Sequence, residues 1–398
     1  MKKILILTLS LIMLALVFSS CGGTAINVNF IVDGETYHTA TTGDEALALP
    51  TNPQKEGFSF DGWYFDNETF EEPFSEGALM YKVLDGDVSV YAKWTDKKPY
   101  TRLDEDTILF GSYPQTEVVN EELKATLNTL SGAKPTADNA QAWTSYGYYA
   151  NKKVSSFMWY IDVENGGEKY RGVYFTSSRP AYTDTTAASD SFQSTNGYFA
   201  GTVYWFKYEP ISWTILKEDD DGRAMVLCDM IIDAQSYSVS SASHKEGDKT
   251  VYASNYEQSF VRSWLNDTFY NTAFDDMQKE IISVTTVNNG KGTTDSTKSN
   301  KYACANTKDK IFLLSYKDTT TYFKEDMPGQ RLTSDYAQAQ GAYTDNSSYK
   351  GCGYWWLRSP SSTDSDAVCG VYSGGNVSYG HVTDTTYGVV PSLWIQLD

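Results

Sequence analysis

The segment that most constrains this chain is its N-terminus, because it decides the compartment in which everything after it folds. Lys2 and Lys3 make a positive start, residues 4–18 form an apolar run, and the small residues Ser19 and Ser20 precede Cys21. That run is shorter than the roughly 20 residues a membrane-spanning helix needs. A charged start, a short apolar core and small residues at a cleavage point together make an export signal. Residues 1–20 are therefore read as a signal peptide, and the rest of the chain is expected to fold outside the cytoplasm.

Ser-Ser-Cys at residues 19–21 resembles the lipobox of bacterial lipoproteins, with Phe18 where Leu is more usual. In that family the thiol takes a diacylglycerol and becomes the first residue of the mature protein. The resemblance implies lipidation at Cys21 and residence on the outer face of the cell membrane. Two acyl chains suffice for stable attachment. An ordinary cleaved signal with an incidental Cys, or an uncleaved anchor, would export the chain equally. The spacer after Cys21 ends at residue 25, which sets the first domain close to the membrane.

A chain of 398 residues has room for two or three domains with a sizeable core. No later apolar run approaches spanning length. The formal net charge is -19, and loss of Lys2 and Lys3 with the leader takes it to -21. That balance argues against nucleic acid, which is bound by neutralising phosphates with Lys and Arg. It argues equally against docking on anionic lipid. Its plainest consequence is solubility. Aromatic residues make up 15% of the chain, with 30 Tyr and 10 Trp. Beside abundant Ser, Thr, Gly and Asn they suit a turn-rich β protein. A large aromatic core accounts for most of them, but Tyr and Trp also give ligands wide contact at low entropic cost.

Residues 26–95 read as one compact unit. Ile26, Val28, Phe30 and Val32 alternate with polar residues, the period of a strand, and Asp33-Gly34 is a hairpin signal. Leu47 and Leu49 start an extended run stopped by Pro50 and Pro53. Near the end, Val88, Val90, Ala92 and Trp94 share one face, so Trp63 and Trp94 are expected in or near the core. The opening strand, the centre Phe60, Gly62, Trp63, Tyr64 and the closing V-Y-A-K-W at 90–94 resemble the internalin-type B repeat, also called the Listeria–Bacteroides repeat. That resemblance implies a small β-grasp-like fold of the kind found in bacterial surface proteins. A single copy would be a spacer beside the anchor, or a protein-binding module. Residues 96–104, with Pro99, read as a linker.

The second domain, 105–398, opens with a strand at 108–116. A weakly periodic stretch over 120–200 follows, read as short strands and long loops. Strands follow at 204–206, 211–216 and 224–228. Asn255 with Gln258 forms a candidate capping box ahead of Phe260, Val261, Trp264 and Leu265. Asp275 with Gln278 repeats it. Residues 310–315 read as a buried strand and 333–340 as a helix ended by Gly341. The tail is β: 354–359, 367–373, 376–382 and 388–397. F-G-S-Y-P-Q-T (110–116), Y-E-P-I-S-W-T-I-L (208–216), the helix at 259–274, D-K-I-F-L-L-S (309–315), Y-W-W-L-R-S-P (354–360) and G-V-V-P-S-L-W-I-Q-L (388–397) resemble, in order, a domain family of unknown function from exported Gram-positive and gut-bacterial proteins. Val390 stands where that family usually has Arg. The tail also resembles the C-type-lectin-like fold of formylglycine-generating-enzyme-type domains. The fold class expected is α+β, a β-grasp-like repeat followed by a C-type-lectin-like domain rich in antiparallel strands and loops.

Signs of catalysis are sparse. His38, His244 and His381 have no metal-ligand spacing, and no G-x-S-x-G elbow, phosphate loop or G-x-G-x-x-G occurs. Paired carboxylates of a glycan hydrolase can come from distant segments, so 51 acidic residues decide nothing. Besides Cys21 there are Cys228, Cys304, Cys352 and Cys369, which allow three full pairings. Cys352 with Cys369, flanking a hairpin, is the first choice, although the hairpin register points Cys352 nearer residue 373. Asp364 and Asp366 could touch calcium but are too few for a site, so no metal or cofactor is assigned. The ligand-binding candidates are Trp355, Trp356, Arg358, Arg262 and Trp394. An Arg beside indoles can hold a carboxylate or stack on a ring. The competing reading is a structural Arg pinning loops to an acidic partner. Alternation along a strand would turn one of Trp355 and Trp356 inward and the other outward. The function expected is a non-catalytic lipoprotein of the cell surface that binds glycan or protein. The alternatives are an enzyme, either a glycan hydrolase or a formylglycine-generating-type oxidase using Cys352 and Cys369, or a passive envelope element.

Overall fold

The computed structural model describes residues 25–43, 47–55, 57–82, 86–136, 142–146, 158–176, 192–294, 300–324 and 328–397. Residues 1–24, which hold the expected signal peptide, Cys21 and most of the expected spacer, lie outside the described residues. Contacts divide the chain into two units, Met1–Lys98 and Pro99–Asp398.

The first unit contains β1 (Asn27–Val32), β2 (Glu35–Thr41), β3 (Phe58–Tyr64), α1 (Glu76–Tyr81) and β4 (Val88–Asp96). The strand order is β2-β1-β4-β3; β1 and β4 run parallel and the other pairs antiparallel. Asp33 (φ 49°) and Gly34 (φ 88°) both take positive φ, which matches the right-handed twist of the hairpin they close. Phe30 is the centre of the core, meeting Trp63 and Phe74 edge-on at 5.0 and 5.6 Å. Val28, Ala40, Leu47, Leu79 and Val90 close around it, whereas Leu49 is exposed.

In the second unit, β5 (Tyr100–Arg102) pairs with β6 (Thr107–Glu117). The stretch read as a linker is thus partly a strand. Next come α2 (Glu121–Ser131), β7 (Met158–Asn165), β8 (Glu168–Phe175), β9 (Val203–Glu218) and β10 (Arg223–Cys228). Helix α2 was not expected from periodicity. Asn120 caps it by accepting from Leu123 N, and Gly132 (φ 71°) ends it in the left-handed conformation. Strand β9 organises this sheet. It pairs with β8 over 203–207, with β6 over 206–214 and with β10 over 213–218. Pro210, which has no N–H to donate, sits next to a register shift.

Beyond β10 lie β11 (Asp233–Ala234), α3 (Phe260–Trp264), α4 (Tyr270–Ala273), α5 (Asp276–Ile281), α6 (Tyr316–Tyr322) and α7 (Asp335–Ala339). A π-helical turn, Leu265–Phe269, joins α3 to α4. Asp275 and Gln278 form the expected capping box. Asn255 and Gln258 do not. Asn255 caps only a 3-10 turn, the Gln258 amide donates to Glu246 Oε1, and Ser259 caps α3. The tail gives β12 (Trp355–Pro360), β13 (Ala367–Val371), β14 (Val377–His381), β15 (Gly388–Val389) and β16 (Ser392–Gln396). The first sheet continues through β16, which pairs with β10. The second has the order β11-β15-β12-β13-β14. Among the described residues no helix is long and apolar enough to cross a membrane.

Close approach in the second sheet depends on glycine. A methyl group at Gly388 would lie 2.0 Å from Ile231 Cγ2 and 3.2 Å from Asp233 O. Overpacking of this kind costs about 1–3 kcal/mol. Gly388→Ala is expected to lower the urea midpoint by that equivalent, while Gly292→Ala, where a Cβ meets nothing within 4 Å, should leave packing intact.

Candidate functional site

The strand that carries most of the sequence candidates is buried along its whole length. Trp355 and Trp356 do point to opposite faces, but elements cover both. Trp355 meets Phe323 at 5.9 Å and donates from Nε1 to Gly329 O. Trp356 stacks on Tyr387 at 4.0 Å and donates to Gln235 O. Both indoles are 0% exposed, so neither is the outward ligand platform that alternation suggested.

Arg358 follows the structural reading. It is buried; Nη1 donates to Leu313 O and Asp318 Oδ2 at 2.6 and 2.9 Å, and Nη2 to Asn288 O. The guanidinium therefore ties the sheet to α6 and two loops. Arg262 likewise binds Asp309 Oδ1 at 2.6 Å through Nε and Glu257 O through Nη1, but its side chain keeps 25% exposure. Trp394 is half-buried beneath the cations of Lys217 and Arg223, at 4.8 and 5.6 Å from its ring. These five residues do not converge on one site.

The expected Cys352–Cys369 disulfide is absent. The ladder pairs Trp355 with Val371. That ladder ends at Val371, and residues 372–376 form a turn; Cys352 forms a β-bridge with Leu332, whereas Cys369 pairs with Tyr379. Cys369 Sγ instead lies 4.0 Å from Thr294 O. Cys352 and Cys369, the pair named for the oxidase alternative, are thus not bonded to each other. Asp364 accepts from Thr363 and Asp366 lies 3.2 Å from His381 Nε2. Among the described residues no group of three His, Cys, Asp or Glu is placed to hold a metal.

What the second sheet does assemble is a column of tyrosines. Tyr343 and Tyr354 stack with centroids 4.0 Å apart and planes 18° from parallel. Tyr354 faces Tyr372 at 4.4 Å and 23°. Tyr387, packed on Trp356, meets Tyr354 at 5.6 Å and so joins the column to the core. Tyr387 fits because β13 and β14 carry glycine beneath it; a Cβ at Gly370 or Gly380 would come within 2.4 or 2.6 Å of its ring. Tyr343, Tyr354 and Tyr372 are half-buried, and Tyr349 and Tyr379 are 42% and 47% exposed. Burial, with the Tyr343 hydroxyl beside it, pushes Tyr354 up to about 12, and burial with Tyr372 raises Tyr387 further. These hydroxyls stay protonated at neutral pH and can donate as well as accept.

A groove of about 520 Å³ lies close in sequence to this column. Leu109, Pro210, Met230 and Leu332 give it an apolar lining, and Glu209 and Asp335 stand among its polar groups. Glu209 accepts from Thr116 Oγ1 at 2.6 Å, and Asp335 from Glu117 N at 2.9 Å. Gly351 lines the groove, and Tyr354, three residues on, is the middle ring of the column.

The chain carries a Listeria-Bacteroides repeat domain. Residues 27–93 match that repeat, and residues 221–397 match a domain of unknown function (DUF6273). No curated protein matches the chain. The DUF6273 match includes the Trp-rich strand, the tyrosine column and the closing P-S-L-W-I motif. The earlier motifs at 110–116 and 208–216 precede it and belong to the same structural unit.

Sequence reasoning passed over Tyr343, Tyr349, Tyr354, Tyr372, Tyr379 and Tyr387. The available signal was the glycines at 370, 374 and 380, whose missing side chains make room for the rings of Tyr387 and Tyr349.

The burial of Arg358 generates a test. Removing one partner of a buried ion pair costs about 3–5 kcal/mol. Arg358→Met should lose stability on that scale in chemical denaturation, and adding Asp318→Asn should recover part of it. A loss below about 1 kcal/mol would contradict a pinning role.

Proposed function

We propose that this chain is a lipoprotein anchored by Cys21 on the outer face of the cell membrane, binding a glycan or a protein through its second unit. The observation that carries the reading is the tyrosine column. Its rings are locked by stacking, and Tyr349, whose ring lies over Gly374, two residues beyond Tyr372, adds an exposed ring. Locked rings offer apolar faces and hydroxyls together at little entropic cost on binding. The nearby groove supplies depth and further hydrogen-bonding groups.

The repeat domain fits a spacer beside the anchor. Its β2-β1-β4-β3 order, with β1 parallel to β4 and a helix before β4, is compatible with a β-grasp-like fold. In the second unit, short helices and long connections around antiparallel strands are compatible with a C-type-lectin-like relationship. Fold analogy by itself assigns no ligand.

Two measurements test the proposal. Cys21→Ala should abolish incorporation of labelled palmitate, whereas an unlabelled parent chain recovered from cytosol with its leader intact would contradict export. On glycan arrays and in pull-downs, the full chain should retain a ligand. Tyr349→Ala with Tyr372→Ala should weaken that binding by more than about 1 kcal/mol. Silence in both assays, or retention unchanged in the double variant, counts against the tyrosine face.

A further inference from the structure

A second cavity, of about 250 Å³, has a different chemistry. Among the described residues, Arg262, Ser263, Asn266, Val284, Lys308 and Lys310 line it, so three are cations and none is acidic. This occurs on a chain with 32 basic and 51 acidic residues.

The local sequence K-D-K explains the arrangement. Successive side chains of an extended segment alternate. Asp309 is turned inward, 1% exposed, where it receives Arg262 Nε and Thr307 Oγ1. Lys308 and Lys310 fall on the other side. Asn266, in the π-helical turn, fixes this segment to the helix. Its Oδ1 accepts from Lys310 N and Ile311 N, and its Nδ2 donates to Arg262 O and Ile311 O. Lys310 Nζ is held 3.7 Å from the centroid of Tyr270, and Lys279 approaches the same ring at 5.4 Å. The pocket is thus framed by side-chain hydrogen bonds, and its cations are not merely a run of solvated lysines.

Charge and geometry narrow what it takes. Asp309 offsets Arg262, which leaves the two ammonium groups as surplus. Arg262 has committed Nε and Nη1, and its Nη2 makes only a long contact of 3.4 Å with Lys308 O. The fork that would grip a planar carboxylate with two parallel bonds is therefore occupied. One guanidinium edge and two rotatable ammonium groups suit a compact anion with several oxygens. We infer that this pocket binds a phosphate group. At 0.15 M salt the screening length is about 8 Å, so the pocket acts on a phosphate through its own cations more than through the chain's distant negative surplus.

The test uses the full chain and four probes: inorganic phosphate, the soluble diester glycerophosphoglycerol, acetate, and phosphatidylglycerol vesicles. Saturable binding of inorganic phosphate is expected in phosphorus NMR titrations, with acetate much weaker. Lys308→Gln, at an exposed position, should weaken it roughly tenfold, and Lys308→Gln with Lys310→Gln further, with the thermal melt unchanged. Binding of the soluble diester as well would assign the phosphate to a polymer or metabolite. Binding of vesicles without the diester would assign it to a lipid headgroup. Absence of saturable phosphate binding, equal binding of acetate, or indifference to both substitutions would overturn the inference.

Discussion

Trp355 and Trp356 lie next to each other on one strand, point to opposite faces, and are both withdrawn from water. Each indole buries on the order of 200 Å² and brings an N–H that must find an acceptor. The acceptors are Gly329 O on one side and Gln235 O on the other, so two loops are drawn onto the second sheet by the same pair of residues. Phe323 and Tyr387 then complete the two apolar faces. The rest of the C-terminal architecture follows from this double coverage. Gly370 and Gly380 lack side chains where Tyr387 lies, and Arg358, on the same strand, is compelled to find its partners inside.

Under the proposed function, that arrangement moves recognition outward. Buried indoles cannot meet a ligand, and a buried guanidinium already bound to Asp318 and two carbonyls has little left to offer one. Tyr387 is the relay from core to surface. It rests on Trp356 and supports Tyr354, which is held between Tyr343 and Tyr372. Rigidity is thereby transmitted to half-buried rings without removing them from solvent. Tyrosine suits this position better than tryptophan or phenylalanine because its hydroxyl can remain solvated or paired while its ring packs.

Much of the fold was legible in the sequence. The Asp33-Gly34 hairpin, the inward faces of β1 and β4, and the Asp275–Gln278 capping box follow from local periodicity and turn chemistry, and the structure has each of them. Helix α2 was missed although Asn120 and Gly132 bracket it, because its apolar residues are few and only Leu127 and Ser131 are buried. Asn255 misled in the other direction, since its capping pattern closes a single 3-10 turn before Ser259 takes over. The site was less legible than the fold. Alternation correctly set Trp355 and Trp356 on opposite faces. It could not say that both faces are covered, because coverage comes from segments more than 20 residues away, such as Gly329 and Gln235. Stacking between Tyr343, Tyr354, Tyr372 and Tyr387 is likewise a long-range fact that no window of sequence contains.

The central claim is that the indoles of β12 are structural and the tyrosines beyond them face solvent. Hydroxyl-radical footprinting of the full chain, read residue by residue by mass spectrometry, tests it directly. The account predicts rapid oxidation of Tyr349 and Tyr379, slower oxidation of Tyr354 and Tyr372, and protection of Trp355 and Trp356 until the chain is denatured. Oxidation of either indole in the native chain at a rate matching Tyr379 would contradict it.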